Sequence, residues 1–115
     1  MENKIKILKV EPGKAPVVTE IDNDLSAMQE MVDGYIQIVP LDNDACLVCN
    51  EEGKLIGLEP NRIVGCDVIV GTFFIAGDDG GEDLCSLSEK QVNQYSEQFA
   101  KPMTEHGFGF GFMSM

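Results

Sequence analysis

Residues 4–10, K-I-K-I-L-K-V, alternate charged and apolar positions, with Ile5, Ile7 and Val10 on or near one face and Lys4, Lys6 and Lys9 on a solvated side. A period of two predicts a strand. Glu11-Pro12-Gly13-Lys14 then supplies a turn, because Pro12 presets its own backbone angle and Gly13 accepts a positive one. The run A-P-V-V-T-E-I, residues 15–21, reads as a second strand and completes a hairpin, with Pro16 at the strand's start or at a sheet edge. The period then changes. Asp22-Asn23-Asp24 offers helix caps, Leu25, Met28 and Val32 recur at helical spacing, and Gly34 ends the helix. The acids before this helix suit its dipole, which accounts for Asp22 and Asp24 without a metal or a catalytic role.

From Tyr35 the strand pattern returns. Y-I-Q-I-V runs to Pro40, a short loop L-D-N-D follows, and A-C-L-V-C-N comes back antiparallel. Glu51-Glu52-Gly53-Lys54 predicts a further hairpin turn with K-L-I-G-L as its return strand. Glu59-Pro60-Asn61 ends that strand, since Pro60 offers no ladder donor, and leaves Arg62 beside a loop. Residues 67–77, D-V-I-V-G-T-F-F-I-A-G, are almost continuously apolar and β-branched, as befits one central strand buried on both faces. The acidic loop D-D-G-G-E-D follows. Ser86 with Glu89, in S-L-S-E, then makes a capping box that opens a helix to about Ala100, with Val92, Tyr95 and Phe99 at helical spacing and Pro102 beyond its end.

These elements predict an α+β fold: a single small domain over residues 1–100, with a mostly antiparallel sheet of about five or six strands and two α-helices packed on one face. Residues 101–115 form a Gly/Phe-rich tail expected to be flexible. Its alternating Phe108, Phe110 and Phe112 also suit an added strand or a partner-binding segment.

Composition narrows the chemistry. The chain has 115 residues, enough for one core without staples, and 43% are hydrophobic, which excludes disorder throughout. The formal net charge is -12, so diffuse attraction to nucleic acid or to an anionic membrane is disfavoured and any bound anion must be held locally. The acid either keeps the chain soluble or forms a face that imitates a phosphate lattice. No targeting or membrane-spanning run is visible, so the expected location is cytoplasmic and the four cysteines are expected to be thiols. Cys46 and Cys49 form a C-x-x-C inside a strand pattern, where side chains three apart point to opposite faces and do not readily share a metal. Cys66 and Cys85 have no second such motif beside them.

Enzymatic signatures are lacking. The only histidine, His106, falls in the tail, leaving a serine or cysteine nucleophile without a well-placed base. There is no P-loop, dinucleotide fingerprint or H-E-x-x-H, and the paired carboxylates sit in turns and caps. No catalytic residue, metal ligand or cofactor is assigned.

The strings V-E-P-G-K, E-I-D-N-D-L, M-V-D-G-Y-I, L-V-C-N-E-E-G-K-L-I-G-L-E-P-N-R and D-V-I-V-G-T-F-F-I-A-G, with the late S-L-S-E-K-Q, carry a resemblance. In order and spacing, from about residue 4 to residue 100, the chain is similar to the family known as domain of unknown function 3846. The resemblance implies a small α+β domain of bacterial, phage or mobile-element type and brings no settled activity or catalytic residues. The family's shared polar positions fall here on Asn50, Glu51, Gly53, Lys54, Asn61, Arg62, Gly71 and Thr72. Turns and close backbone approach account for the glycines, and turns can also use the asparagines. Arg62, at the end of an apolar run, either pairs with a nearby acid or presents its planar fork to a carboxylate or phosphate.

Three functions follow as expectations. The first is a non-catalytic binding protein in which Asn61, Arg62, Thr72, Asn50 and Lys54 hold a small anionic ligand such as a nucleotide, as in counter-defence sequestration. The second is an acidic, DNA-mimic-like inhibitor of a host defence or DNA-binding protein. The third is an unrecognised hydrolase using a carboxylate and water. The partner is thus a small anion or a host protein, without direct nucleic-acid or membrane contact, and a homo-oligomer stays open. Asn61 and Arg62 lie roughly 23 Å beyond Lys54 along an extended strand, so the polar set forms two patches unless the chain bends at Gly57 or another chain completes the site.

Overall fold

The computed structural model describes residues 3–103. His106 and the alternating phenylalanines of the Gly/Phe-rich tail lie outside the described residues. In chain order the elements are β1 (Lys4–Val10), β2 (Val17–Asp22), α1 (Leu25–Val32), β3 (Ile36–Leu41), β4 (Ala45–Asn50), β5 (Pro60–Val64), β6 (Asp67–Val70), β7 (Phe73–Gly77) and α2 (Glu89–Gln98). Five strands form one sheet in the order β2-β1-β7-β4-β3, with every neighbour antiparallel, and β5 and β6 form a separate two-stranded ribbon. The fold is α+β, with seven strands where about five or six were expected.

The centre of the sheet goes to β7, whose five residues are all buried. Alternation along β4 and β7 sends Leu47, Cys49, Phe73 and Ile75 to one face and Cys46, Val48, Phe74 and Ala76 to the other. Tyr95 and Phe99 at the end of α2 join the first set, together with Ile69 of β6. Met28 and Val32 of α1 join the second, with Ile5, Ile7 and Ile21. The helices therefore cover opposite faces, which corrects the expectation that both pack on one. Central strands that are apolar on both sides need cover on both sides. β1 obeys the same rule: Leu8 and Val10 face α2's side, while Lys9 shares the parity of Ile5 and Ile7 and lies on α1's side. The geometry also puts Cys46 and Cys49 in separate clusters.

Three local readings change. The apolar run 67–77 is two strands, broken at Gly71-Thr72. Gly71 has φ +74, and its N–H donates to the Glu59 carbonyl at 2.7 Å, so the chain turns out of the ribbon before β7 enters the main sheet. K-L-I-G-L is a set of tight turns: Ile56 N–H bonds the Glu52 carbonyl and Leu58 N–H the Gly53 carbonyl, and the return strand starts only at Pro60. The capping box of α2 uses Ser88 and Gln91, two residues later than expected. S-L-S-E-K-Q contains two overlapping boxes. Ser86 is drawn away by the Lys6 N–H, which donates to its hydroxyl at 2.9 Å, so the second box forms. The cap expected before α1 is Asp24, whose carboxylate accepts from Ala27 N–H at 2.7 Å.

Gly71→Ala is expected to cost about 2 kcal/mol in urea unfolding, from the positive φ. It should cost more than Gly57→Ala, since the new methyl at 71 meets Leu58 while Gly57 opens to empty space. Thiol reactivity gives a second check. Burial and Asp78 push the Cys46 thiol up to about 12, and burial followed by Asp67 raises Cys49, whereas Cys66 is exposed. A disulfide reagent should modify Cys66 quickly in the native protein and reach Cys46 and Cys49 only on unfolding.

Candidate functional site

A bulge between Pro60 and Arg62 in β5 allows two consecutive residues, Asn61 and Arg62, to be buried together. The Asn61 amide donates to the Val10 carbonyl at 2.8 Å and to the Gly71 carbonyl at 2.7 Å. Its side-chain oxygen accepts from Arg62 Nη1 at 2.7 Å. Arg62, only 3% exposed, spends the rest of its fork on backbone: Nε on the Phe99 carbonyl at 3.1 Å, Nη1 on the Asn61 carbonyl at 3.1 Å and Nη2 on the Lys14 carbonyl at 2.5 Å. No ion pair among the described residues includes it. Burial lowers the guanidinium's pKa from its ordinary value, and oriented carbonyls take the place of a counter-charge. One of them belongs to Phe99, the C-cap of α2, where a cation also meets the negative end of the helix dipole. The fork expected to face a ligand or an acid thus faces the interior.

Asn50 at the end of β4 does a similar job for α1. Its amide donates to the carbonyls of Val32 and Asp33 at 3.1 and 3.0 Å, and its oxygen accepts from Glu52 N–H at 2.7 Å. Lys54 is exposed and bonds Asp67, and this hydrogen bond holds the Asp67 carboxyl below its ordinary value. Asn50 and Lys54 do share a cavity, of ≈ 130 Å³, with Gln37, Leu55 and Asp67. That is well under the roughly 300 Å³ at which small-molecule sites begin. Thr72 belongs to neither set: it borders a cavity of ≈ 230 Å³ with Leu58, Glu59 and Gly71 and the wall of an open groove of ≈ 470 Å³. The groove's Lys4 pairs with Asp22 at 2.7 Å and its Lys9 with Glu11 at 3.9 Å, while Glu20 and Glu30 add further negative charge. Such a lining offers an anion no net attraction.

The five residues therefore divide three ways: Asn61 and Arg62 in one internal network, Asn50 and Lys54 around a small cavity, and Thr72 on a separate groove. The extended run that would hold the two ends of the segment apart is absent: Gly57 has φ +75 and Leu58 N–H bonds the Gly53 carbonyl, so the chain does bend there, yet each end keeps its own partners. What the pattern did not indicate is the segment's middle. Leu55 is 87% and Ile56 58% exposed, on turns fixed by backbone bonds and flanked by Glu51 and Glu52. The signal that could have found them is the pair Gly53 and Gly57, which bracket a segment too short and too turn-prone for a strand. No group of three or more potential metal ligands occurs among the described residues, and no described helix is long and apolar enough to cross a membrane.

If Arg62 works through these carbonyls, Arg62→Ala should lower unfolding stability by about 3 kcal/mol or more, since it strands several buried acceptors. Arg62→Lys should recover only part of that loss, because an ammonium cannot reproduce the planar fork. Denaturant midpoints of the three proteins would show it, and an unchanged midpoint in Arg62→Ala would return the guanidinium to the list of ligand contacts.

No curated protein and no solved structure matches the chain. A family model does, over residues 5–100, which takes in all nine elements but the first residue of β1. The chain belongs to the family described as a domain of unknown function, DUF3846.

Proposed function

We propose that the protein is a non-catalytic binding domain whose partner is another protein, engaged through the turn that carries Leu55 and Ile56. The observation that supports this reading is the exposure of two large apolar side chains, 87% and 58%, on turns tied down by their own backbone bonds. Apolar side chains held out in this way have a use when a partner covers them. Burying both contributes about 3–6 kcal/mol of transfer free energy, enough for an anchor but not for a whole interface. The anchor's surroundings set the partner's chemistry. Glu51, Glu52 and Glu59 lie in the same segment, and the chain's net charge is -12, so the complementary surface is an apolar pocket bordered by lysine and arginine. Basic DNA-binding proteins fit that description, which keeps inhibition of a host defence or DNA-binding protein, of phage or mobile-element type, within the reading. A nucleotide-sized anion has less to support it: Arg62 bonds internal carbonyls, Lys54 bonds Asp67, and the cavity beside Lys54 is small.

The test uses the full chain as bait beside a Leu55→Asp/Ile56→Asp double variant of equal melting temperature. The partner held by the native chain should be lost by the variant, and its retention should fall as ionic strength rises. A nucleotide pool that raises the melting temperature, with the rise abolished by Lys54→Ala, would favour the small-anion reading instead.

A further inference from the structure

We propose that the protein forms a two-fold symmetric dimer in which the free edge of β3 pairs antiparallel with β3 of a second copy. Among the described residues β3 is an outer strand, hydrogen-bonded only to β4. The Glu51 N–H bond to the Tyr35 carbonyl, 2.8 Å, sets the phase of that ladder. Tyr35 and then residues 37, 39 and 41 turn their backbone groups toward β4, so Ile36, Ile38 and Pro40 turn theirs to the free edge. Pro40 therefore gives up no bond inside the sheet, which is why a proline is tolerated within this strand.

The other outer strand, β2, makes the comparison that selects β3. Asn23 N–H bonds the Asn3 carbonyl, and the same alternation turns Val18, Glu20 and Asp22 outward there. Two copies meeting along β2 would bring acids together. β3 reads I-Q-I-V-P-L and carries no charge at all, in a chain whose net charge is -12. Edge strands are ordinarily guarded by charge or by proline; this one has no charge, and its proline stands beyond the Ile36–Ile38 stretch. Its Ile38 is 46% exposed, and Tyr35 just before it is more exposed still. For a second copy of so acidic a chain, an uncharged edge is where approach is least opposed.

The strand is also complementary to itself. With Gln37 on the two-fold axis, Ile36 of each copy lies opposite Ile38 of the other and the two exchange both backbone bonds, giving four in all by symmetry. Ile36 and Ile38 then form cross-strand apolar pairs on one face. On the other, the two Gln37 amides can each donate and accept across the axis. Pro40, with a carbonyl but no N–H, limits the ladder beyond these four bonds and so favours one register. The result is a continuous sheet across both copies, held by a small interface whose association depends on concentration. It does not rest on the partner-binding reading, and its salt response has the opposite sign: screening weakens attraction to a basic partner but relieves repulsion between two acidic copies.

The experiment is sedimentation velocity on the full chain over a range of concentrations, at low and high ionic strength. We expect a monomer–dimer equilibrium that shifts toward dimer as salt is added. Gln37→Glu sets like charges face to face on the axis, and Ile38→Lys replaces the apolar pair with Ile36 of the other copy by an ammonium; each should raise the dissociation constant by about tenfold or more. Val18→Lys on the β2 edge should leave it unchanged. Hydrogen exchange of the native chain provides a readout that needs no variant, because peptides covering Ile36 and Ile38 should gain protection as concentration rises. A monomer under every condition, a dimer indifferent to both β3 substitutions, or a dimer dissolved by Val18→Lys would each overturn the proposal.

Discussion

The fold turns on a buried cation that has no counter-charge among the described residues. Arg62 reaches the carbonyls of Lys14, Asn61 and Phe99, and its neighbour Asn61 reaches those of Val10 and Gly71. Apart from the Asn61 carbonyl, which sits at the bulge of β5, these acceptors lie at the end of β1, in the turn after it, at the junction of β6 and β7 and at the C-cap of α2. All are places where a chain leaving a regular element exposes a carbonyl that no ladder satisfies. A lysine could serve one or two of them. A planar guanidinium with an asparagine beside it serves five, and the favourable dipoles compensate for taking the charge out of water.

Around that network the sheet behaves as a two-sided object. Phe73 and Ile75 on one face and Phe74 and Ala76 on the other come from the same short strand, so neither face can be left to solvent. α1 closes one side. α2 and the β5–β6 ribbon close the other, and Asn61-Arg62 stands where that ribbon meets the end of α2. Asn50 complements the arrangement by capping α1 from the end of β4. The polar residues that looked like a ligand set are thus, for the most part, the fastenings between layers. The outside carries an apolar turn with an acidic border and a sheet edge without charge.

Sequence by itself determined the α+β class, both helices, the two hairpins β1–β2 and β3–β4, the central place of Phe73–Gly77 and the opposed directions of Cys46 and Cys49. Each follows from a local period or from a turn residue, and local signals survive folding because they rest on backbone geometry. Tertiary structure decided the rest. Which of two overlapping boxes caps α2 depended on Lys6 claiming Ser86, eighty positions away in the chain. Whether residues 54–58 became a strand depended on an edge of the preceding strand being open, and both edges of β4 are taken, by β3 and β7. Whether Arg62 met a ligand, an acid or bare carbonyls depended on which chain ends folding brought to its side. A guanidinium's partners are chosen by what surrounds it in space, and along the sequence those partners lie as far apart as Lys14 and Phe99.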